Sequence, residues 1–305
     1  MSFALRPYFD WRLRTRAVAL GPRTFIMGIL NVTPDSFSDG GQYFDTSIAL
    51  NHALEMLDDG ADILDLGGES TRPNAVPITP AEEQIRVLPV LQAILAARPA
   101  AIVSIDTYHS ETARRAIEAG AEIVNDVSGH LWDDAMSHTC ASLRCGAILM
   151  HTRGRPNEWR TLPPLESDEV IPLVLADLKA RSHSAIAAGI VRESIVLDPG
   201  FGFGKAFDEN YPLLAHLDQL HSLGFPIVAG VSRKSFLTRT LTANFLSSRT
   251  LLSSRSAAEG SASSSHAPST VANTAAILAG AHILRVHDVR PARDAASIAD
   301  RILAN

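Results

Sequence analysis

Cysteine is nearly absent from these 305 residues: Cys140 and Cys145 are the whole supply. Two thiols cannot staple a chain of this length, so the fold must rest on a hydrophobic core, and a reducing compartment, the cytoplasm, is expected. No run of about 18 apolar residues occurs, which argues against a membrane span. Excess positive charge is lacking too. A formal charge of −6 speaks against a nucleic-acid or anionic-membrane surface, so any phosphate must be met by local basic residues. The sequence carries no His-Glu-X-X-His helix, no His-X-His pair on its first main strand, no P-loop and no dinucleotide fingerprint.

What is present is an ordinary globular composition, 46% hydrophobic and 20% charged, with ample material for one large core. Arg6, Arg12, Arg14 and Arg16 crowd the N-terminus without an apolar signal core. A transit peptide is one reading of them. The preferred reading is a short capping hairpin, because Phe9-Asp-Trp-Arg-Leu and Ala17-Val-Ala-Leu straddle a polar turn. Residues 1–23 are therefore expected as an extension and 24–305 as a single domain.

One pattern recurs. Gly60, Gly120, Gly146 and Gly280 each precede a short apolar run: glycine ends a helix in the left-handed conformation, and a buried strand follows. The segments before three of them read as helices: Ser47–Asp59 with Leu50, Leu54 and Leu57 on one face, Ser110–Ala119, and Thr270–Ala279. Thr79-Pro-Ala-Glu is a capping box with proline at the first helical position. Further strands are expected at Thr24–Leu30, Ala101–Asp106, Ser194–Pro199 and Pro226–Val231. Strands alternating with helices demand a covered parallel sheet, and the count of eight fits an α/β (β/α)8 TIM barrel; an open doubly wound sheet is the alternative. Ser247–Ser269, rich in serine and poor in large apolar residues, reads as a surface insertion.

In such a barrel the chemistry gathers at the carboxyl ends of the strands, and these ends are polar: Asn31, Asp65 with Glu69, Asp106, Asn125-Asp126, His151, Asp198, Arg233-Lys234, and Arg285 with His287. Arg285 and His287, two apart, face one side of their strand and suit an anion; a salt bridge from Arg285 to a neighbouring strand's aspartate is the competing reading. Asp198-Pro-Gly-Phe-Gly-Phe-Gly-Lys205 alternates glycine with Phe201 and Phe203, letting backbone approach a flat ligand between aromatic walls. Asp106, Asn125 and Asp198 suit the edge of a planar heterocycle, although paired carboxylates also serve as acid/base dyads or metal ligands.

Met27-Gly-Ile-Leu-Asn-Val-Thr-Pro-Asp-Ser-Phe-Ser-Asp-Gly-Gly41 and Asp65-Leu-Gly-Gly-Glu-Ser-Thr-Arg-Pro73 resemble the two signatures of dihydropteroate synthases. Ser104-Ile-Asp-Thr-Tyr108, Asn125-Asp-Val-Ser-Gly129, Ser232-Arg-Lys-Ser235 and Arg285-Val-His-Asp-Val289 follow in the family's order. The resemblance implies a TIM barrel that joins 6-hydroxymethyl-7,8-dihydropterin diphosphate to 4-aminobenzoate and releases diphosphate for folate synthesis. It implies that Asp106, Asn125 and Asp198 hold the pterin edge, with Phe203 in its wall, and that Lys234, a catalytic residue, binds the pterin near the aminobenzoate. Asn31 would bind Mg2+ with the diphosphate, Arg285 and His287 would grip the phosphates, and Thr71, Arg72 and Ser235 would shape the aminobenzoate pocket. Thr33–Gly41 would close as a lid carrying Asp35 and Asp39 as catalytic residues. A homodimer is the assembly the resemblance implies.

Asn74, His130 and Thr152 depart from the family pattern, and the serine-rich stretch is longer than the family leads one to expect. A pterin-binding methyltransferase domain shares the barrel and the pterin-edge residues, but Ser232-Arg-Lys-Ser235 and the complete lid signature favour the synthase. A non-catalytic paralogue is the reading from a different class, disfavoured by the full set of polar positions.

Overall fold

The structure, a computed structural model, describes residues 6–33, 46–70, 76–242 and 266–305. Phe9–Arg12 (β1) and Ala17–Leu20 (β2) pair antiparallel, with Phe9 opposite Leu20. Eight parallel strands follow: β3 (Phe25–Asn31), β4 (Ile63–Gly67), β5 (Ile102–Asp106), β6 (Ile123–Asp126), β7 (Gly146–Met150), β8 (Ile195–Asp198), β9 (Val228–Ala229) and β10 (Ile283–Val286). They lie in the order β8-β7-β6-β5-β4-β3-β10-β9. A parallel bridge from Leu197 to Ile227 joins the two outer strands and closes the barrel, as the strand count suggested.

Helices Thr46–Asp58 (α1), Pro80–Ala97 (α2), Ser110–Glu118 (α3), Met136–Leu143 (α4), Val170–Ala187 (α5) and Asn210–Ala215 (α6) cover the barrel. A helix over 235–242 (α7), then Ala267–Leu278 (α8) and Val289–Leu303 (α9), complete the described set. The capping box at α2 is formed: Thr79 Oγ1 accepts from Glu82 N at 3.2 Å, and Glu82 accepts from Thr79 N at 2.8 Å. In α1 the leucine face is not the innermost one. Ala49, Ala53 and Met56 are buried, and Leu50 and Leu57 pack partly buried beside them. The cause is close approach, since a Cβ on Gly28 of β3 would sit 3.1 Å from the Met56 sulfur.

The pleat sorts each strand into two files. Outward residues such as Leu30, Leu64, Val103, Val124, Leu197 and Leu284 join the helices in the main core. Inward residues near the strand starts, among them Met27, Ile63, Ile123, Ile148, Val196 and Ile283, form a second core within the barrel. Trp11, Leu13 and Leu20 of the hairpin belong to that second core, so the hairpin closes the N-terminal end. Trp11 is fully buried, donates its indole N–H to Ser194 O at 2.9 Å, and would cost about 3–5 kcal/mol if truncated to alanine.

The expected serine-rich insertion extends into structured chain. α8 begins at Ala267, with proline in its first turn, and Ser269 is buried with its hydroxyl accepting from Arg233 N at 3.0 Å. The preceding part, 243–265, lies outside the described residues. Among those described, no helix is long and apolar enough to cross a membrane.

Candidate active site

The pleat also divides the polar strand ends. Asp65, Asp106, Asn125, Asp198 and Arg285 stand on the inward files, at the level where the inner core gives way to the mouth. Their outward neighbours serve the helix layer. Asp126 accepts from Ser128 N at 2.7 Å and His130 N at 3.1 Å, capping its own loop. His151 is buried against Asp177 of α5 at 3.1 Å, and Arg233 turns outward to Asp288. The strand ends therefore divide between the mouth and the helix layer, and Asp126, His151 and Arg233 belong to the latter. One residue of offset along a strand reverses the direction of the side chain.

At the centre, Arg285 spans the lumen. Its Nε donates to Asp65 Oδ2 at 2.6 Å and its Nη2 to Asp106 Oδ2 at 2.5 Å. The competing salt-bridge reading is thus realised twice, with partners on β4 and β5 rather than on the strands flanking β10. Asn125 Nδ2 donates to the same Asp65 oxygen at 2.9 Å. Burial pulls the Arg285 guanidinium down, but Asp65 and Asp106 outweigh it and raise its pKa above the ordinary value. Burial lifts Asp106 to about 7 despite the opposing pull of Arg285, and raises Asp198 against the N–H of Gly200. Lys234 is lowered to about 8 by burial and by Arg285. The site thus holds ionisable groups poised near neutrality, as functional sites do.

The loop after β8 shapes one wall. Gly200, Gly202 and Gly204 have φ of +66°, +80° and +67°, a region L side chains rarely enter. Asp198 Oδ1 accepts from Gly200 N at 2.7 Å, Asn210 Oδ1 from Gly202 N at 2.7 Å, and buried Lys205 donates to Gly200 O at 2.7 Å. Phe203 carries the Lys234 ammonium over its ring at 4.1 Å, a cation–π contact. Phe201 is not simply a second ligand wall: it is buried and stacks on Phe236 at 6.5 Å.

Asp106, Asn125, Asp198, Phe203, Lys234 and Arg285 line one cavity, so six expected residues meet. Asn31 and Asp106 approach each other at Gly67, where a Cβ would lie 3.6 Å from Asn31 Oδ1 and 3.4 Å from Asp106 Cβ. His287 meets Ser232 Oγ at 3.2 Å, off the cavity wall, and burial with Arg233 and Arg285 lowers it to about 4. Ser235 is exposed at the start of α7. Asp35, Asp39, Thr71 and Arg72 lie outside the described residues, as do residues 34–41, where the lid is expected. Sequence reasoning left out Val127, Met150 and Gly230 from the wall; Met150 was legible as the inward residue one place before His151. It also noted Asp65 without giving it a role.

The departure at His130 has a backbone consequence: its φ is +67°, where the usual glycine would be unstrained. Glu69 accepts from Tyr108 Oη at 2.6 Å and from Ile78 N at 3.4 Å, tying the chain after β4 to Ile78 and to the segment that follows β5.

The family model for pterin binding enzymes matches residues 27–287. The chain is 38% identical to the dihydropteroate synthase of Bacillus subtilis over 94% of its length and 91% of the relative's. Among solved structures it resembles the Xanthomonas albilineans dihydropteroate synthase with 4-aminobenzoic acid, at 37% identity and a TM-score of 0.82, covering 97% of this chain and 99% of that one. The Xanthomonas albilineans enzyme in complex with 7,8-dihydropteroate superposes with a TM-score of 0.78 at 36% identity, covering 98% and 100%.

Proposed function

Because the chain belongs to the dihydropteroate synthases, a family of pterin binding enzymes, we propose that Asp106, Asn125 and Asp198 hold the pterin edge while Lys234 and Phe203 meet its face. The reaction is the condensation of 6-hydroxymethyl-7,8-dihydropterin diphosphate with 4-aminobenzoate, giving 7,8-dihydropteroate and diphosphate. One observation carries the assignment of residues: the three pterin-edge residues, Lys234 and Arg285 line a single cavity at the carboxyl ends of the strands. Since Asn125 Nδ2 is spent on Asp65, its Oδ1 is left to accept from a ring N–H, and Asp198 adds a second acceptor.

An aryl amine is neutral at pH 7 and needs no strong base. Its lone pair attacks the exocyclic methylene carbon, the bond from that carbon to the diphosphate oxygen breaks, and the amine gives up a proton. The demanding event is departure of the diphosphate, so cations should face the developing charge. Arg285 is assigned to that charge, and Lys234 stays with the pterin beside the aminobenzoate. His287, held neutral by burial, contributes a hydrogen bond instead of charge. Thr71, Arg72 and Ser235 are assigned to the aminobenzoate pocket, and Asp35 and Asp39 to a lid that keeps water from the electrophilic carbon.

The same reading includes Mg2+. The described residues contain no group of three or more metal-ligating side chains, which suits an ion that arrives on the diphosphate and keeps most of its water. Asn31 at the mouth offers the protein oxygen, and the ion when bound would neutralise charge on the leaving group. A homodimer and a cytoplasmic setting complete the proposal; both cysteines are free, in keeping with a reducing compartment.

The test is product formation by the purified chain. 7,8-dihydropteroate and diphosphate should appear only when both substrates are supplied. Diphosphate release without the amine contradicts the reading, and no product with both present would favour the methyltransferase or non-catalytic alternatives.

A further inference from the structure

We propose that a cleft at the N-terminal end of the barrel, opposite the mouth, binds a small organic polyphosphate. The cleft is larger than the mouth cavity, about 780 Å³, within the range of small-molecule sites. Arg12, Arg14, Arg16 and Arg144 line it, and no acidic residue does. In a chain of net charge −6 such a local surplus of guanidinium is the feature that draws an anion, and the planar fork of arginine matches phosphate oxygens.

The walls are held in place before any ligand arrives. Glu122 accepts from Thr15 N at 2.8 Å and from Arg16 Nε at 3.2 Å, clamping the hairpin turn. Arg14 donates to Ile117 O and Arg16 to Ala100 O at 3.1 Å, so both are fixed with part of each guanidinium committed. Arg12 and Arg144 are exposed and supply the adjustable charge. Arg144 is the left-handed C-cap of α4, at φ 53° and ψ 38°. Glycine is the unstrained choice there, and an outlier of this kind is a pointer to function. Leu13, Ile190 and Val191 form an apolar stretch of the lining, and Val191 is 46% exposed. Cations beside an apolar wall in one confined cleft fit a compact ligand with a phosphate chain and an organic body.

Calorimetric titration with ATP tests the proposal, with tripolyphosphate as the comparison. ATP should bind saturably, and Arg12→Ala combined with Arg144→Gly, which relieves the backbone at 144, should weaken it at least tenfold without lowering the midpoint of thermal unfolding. Lys234→Ala should leave ATP binding unchanged, and tripolyphosphate should bind several-fold more weakly than ATP. Absence of saturable binding overturns the proposal. So does ATP binding that is lost in Lys234→Ala and kept in the double variant, since that places the nucleotide in the mouth. Tripolyphosphate binding as tightly as ATP would remove the organic body from the assignment.

Discussion

The carboxylate of Asp65, two strands from Arg285 with β3 between them, meets it inside the barrel, and one of its oxygens takes both Arg285 Nε at 2.6 Å and Asn125 Nδ2 at 2.9 Å. Asp65 is fully buried, and its other oxygen has no hydrogen-bond partner among the described residues. It therefore acts as a positioning residue. It orients the amide of Asn125 and the guanidinium of Arg285 without lining the cavity itself.

Asp65→Asn should keep the fold while loosening this arrangement, because the substituted amide removes the charge that holds Arg285 and lets Asn125 turn over. Affinity for a pterin analogue is expected to fall about tenfold, roughly 1.4 kcal/mol, close to the lower end of the range for a hydrogen bond to a charged group. Calorimetry on the folded variant measures it. Unchanged affinity would mean that Asn125 and Arg285 hold their orientation without Asp65.

Asp106 makes stability depend on pH. Its pKa in the folded chain is about 7, raised from 3.8 mainly by burial, so the folded chain retains a proton that the unfolded chain releases. The stabilisation from that proton is complete below about pH 4 and is lost as pH rises through 7. Unfolding free energy of the wild type should therefore decline relative to Asp106→Asn between pH 5 and pH 7.5. Denaturant titrations across this window read the difference, and parallel curves would contradict the assignment. Asp126, also raised by burial to about 6, adds a slope of the same sign to both proteins.

Two glycines near the mouth should respond differently to alanine. At Gly200, φ is +66° and a Cβ would lie 1.9 Å from His151 O, so Gly200→Ala should destabilise the fold by more than about 2 kcal/mol. Gly67 has ordinary backbone, and its Cβ would meet Asp106 and Asn31 at 3.4 and 3.6 Å. Gly67→Ala should stay within about 1 kcal/mol of wild-type stability yet weaken ligand binding by crowding those two side chains. Chemical denaturation paired with ligand titration separates the outcomes; equal stability losses would contradict the geometry.

The barrel was legible because glycine-then-apolar runs mark helix ends and buried strands at Gly60, Gly120 and Gly280, whereas Gly146 is itself the first residue of β7 and Arg144 takes the left-handed cap. The mouth was legible because polar residues interrupt those runs at their C-terminal ends. What the residues did not disclose was direction. Asp126 and His151 share the strand-end signal with Asn125 and Met150 and point the other way. Fixing the parity of each strand from its apolar alternation would have separated them. The lumen-spanning contacts of Arg285 could not be read, because pairing across a barrel depends on its diameter and closure rather than on sequence spacing. In α1, leucine periodicity concealed that alanines make the closest approach to β3.

Arg233 and Lys234 are adjacent in sequence and opposite in direction, the first paired with Asp288 at the surface and the second on the cavity wall. The central claim, that the inward file of this barrel forms the condensation site, is tested most directly by measuring kcat/KM for dihydropteroate formation in Lys234→Ala and Arg233→Gln. Lys234→Ala is expected to lose at least about a hundredfold, roughly 2.7 kcal/mol of transition-state stabilisation, and Arg233→Gln to stay within about threefold of wild type. Equal losses in the two folded variants, or a larger loss in Arg233→Gln, would contradict the account.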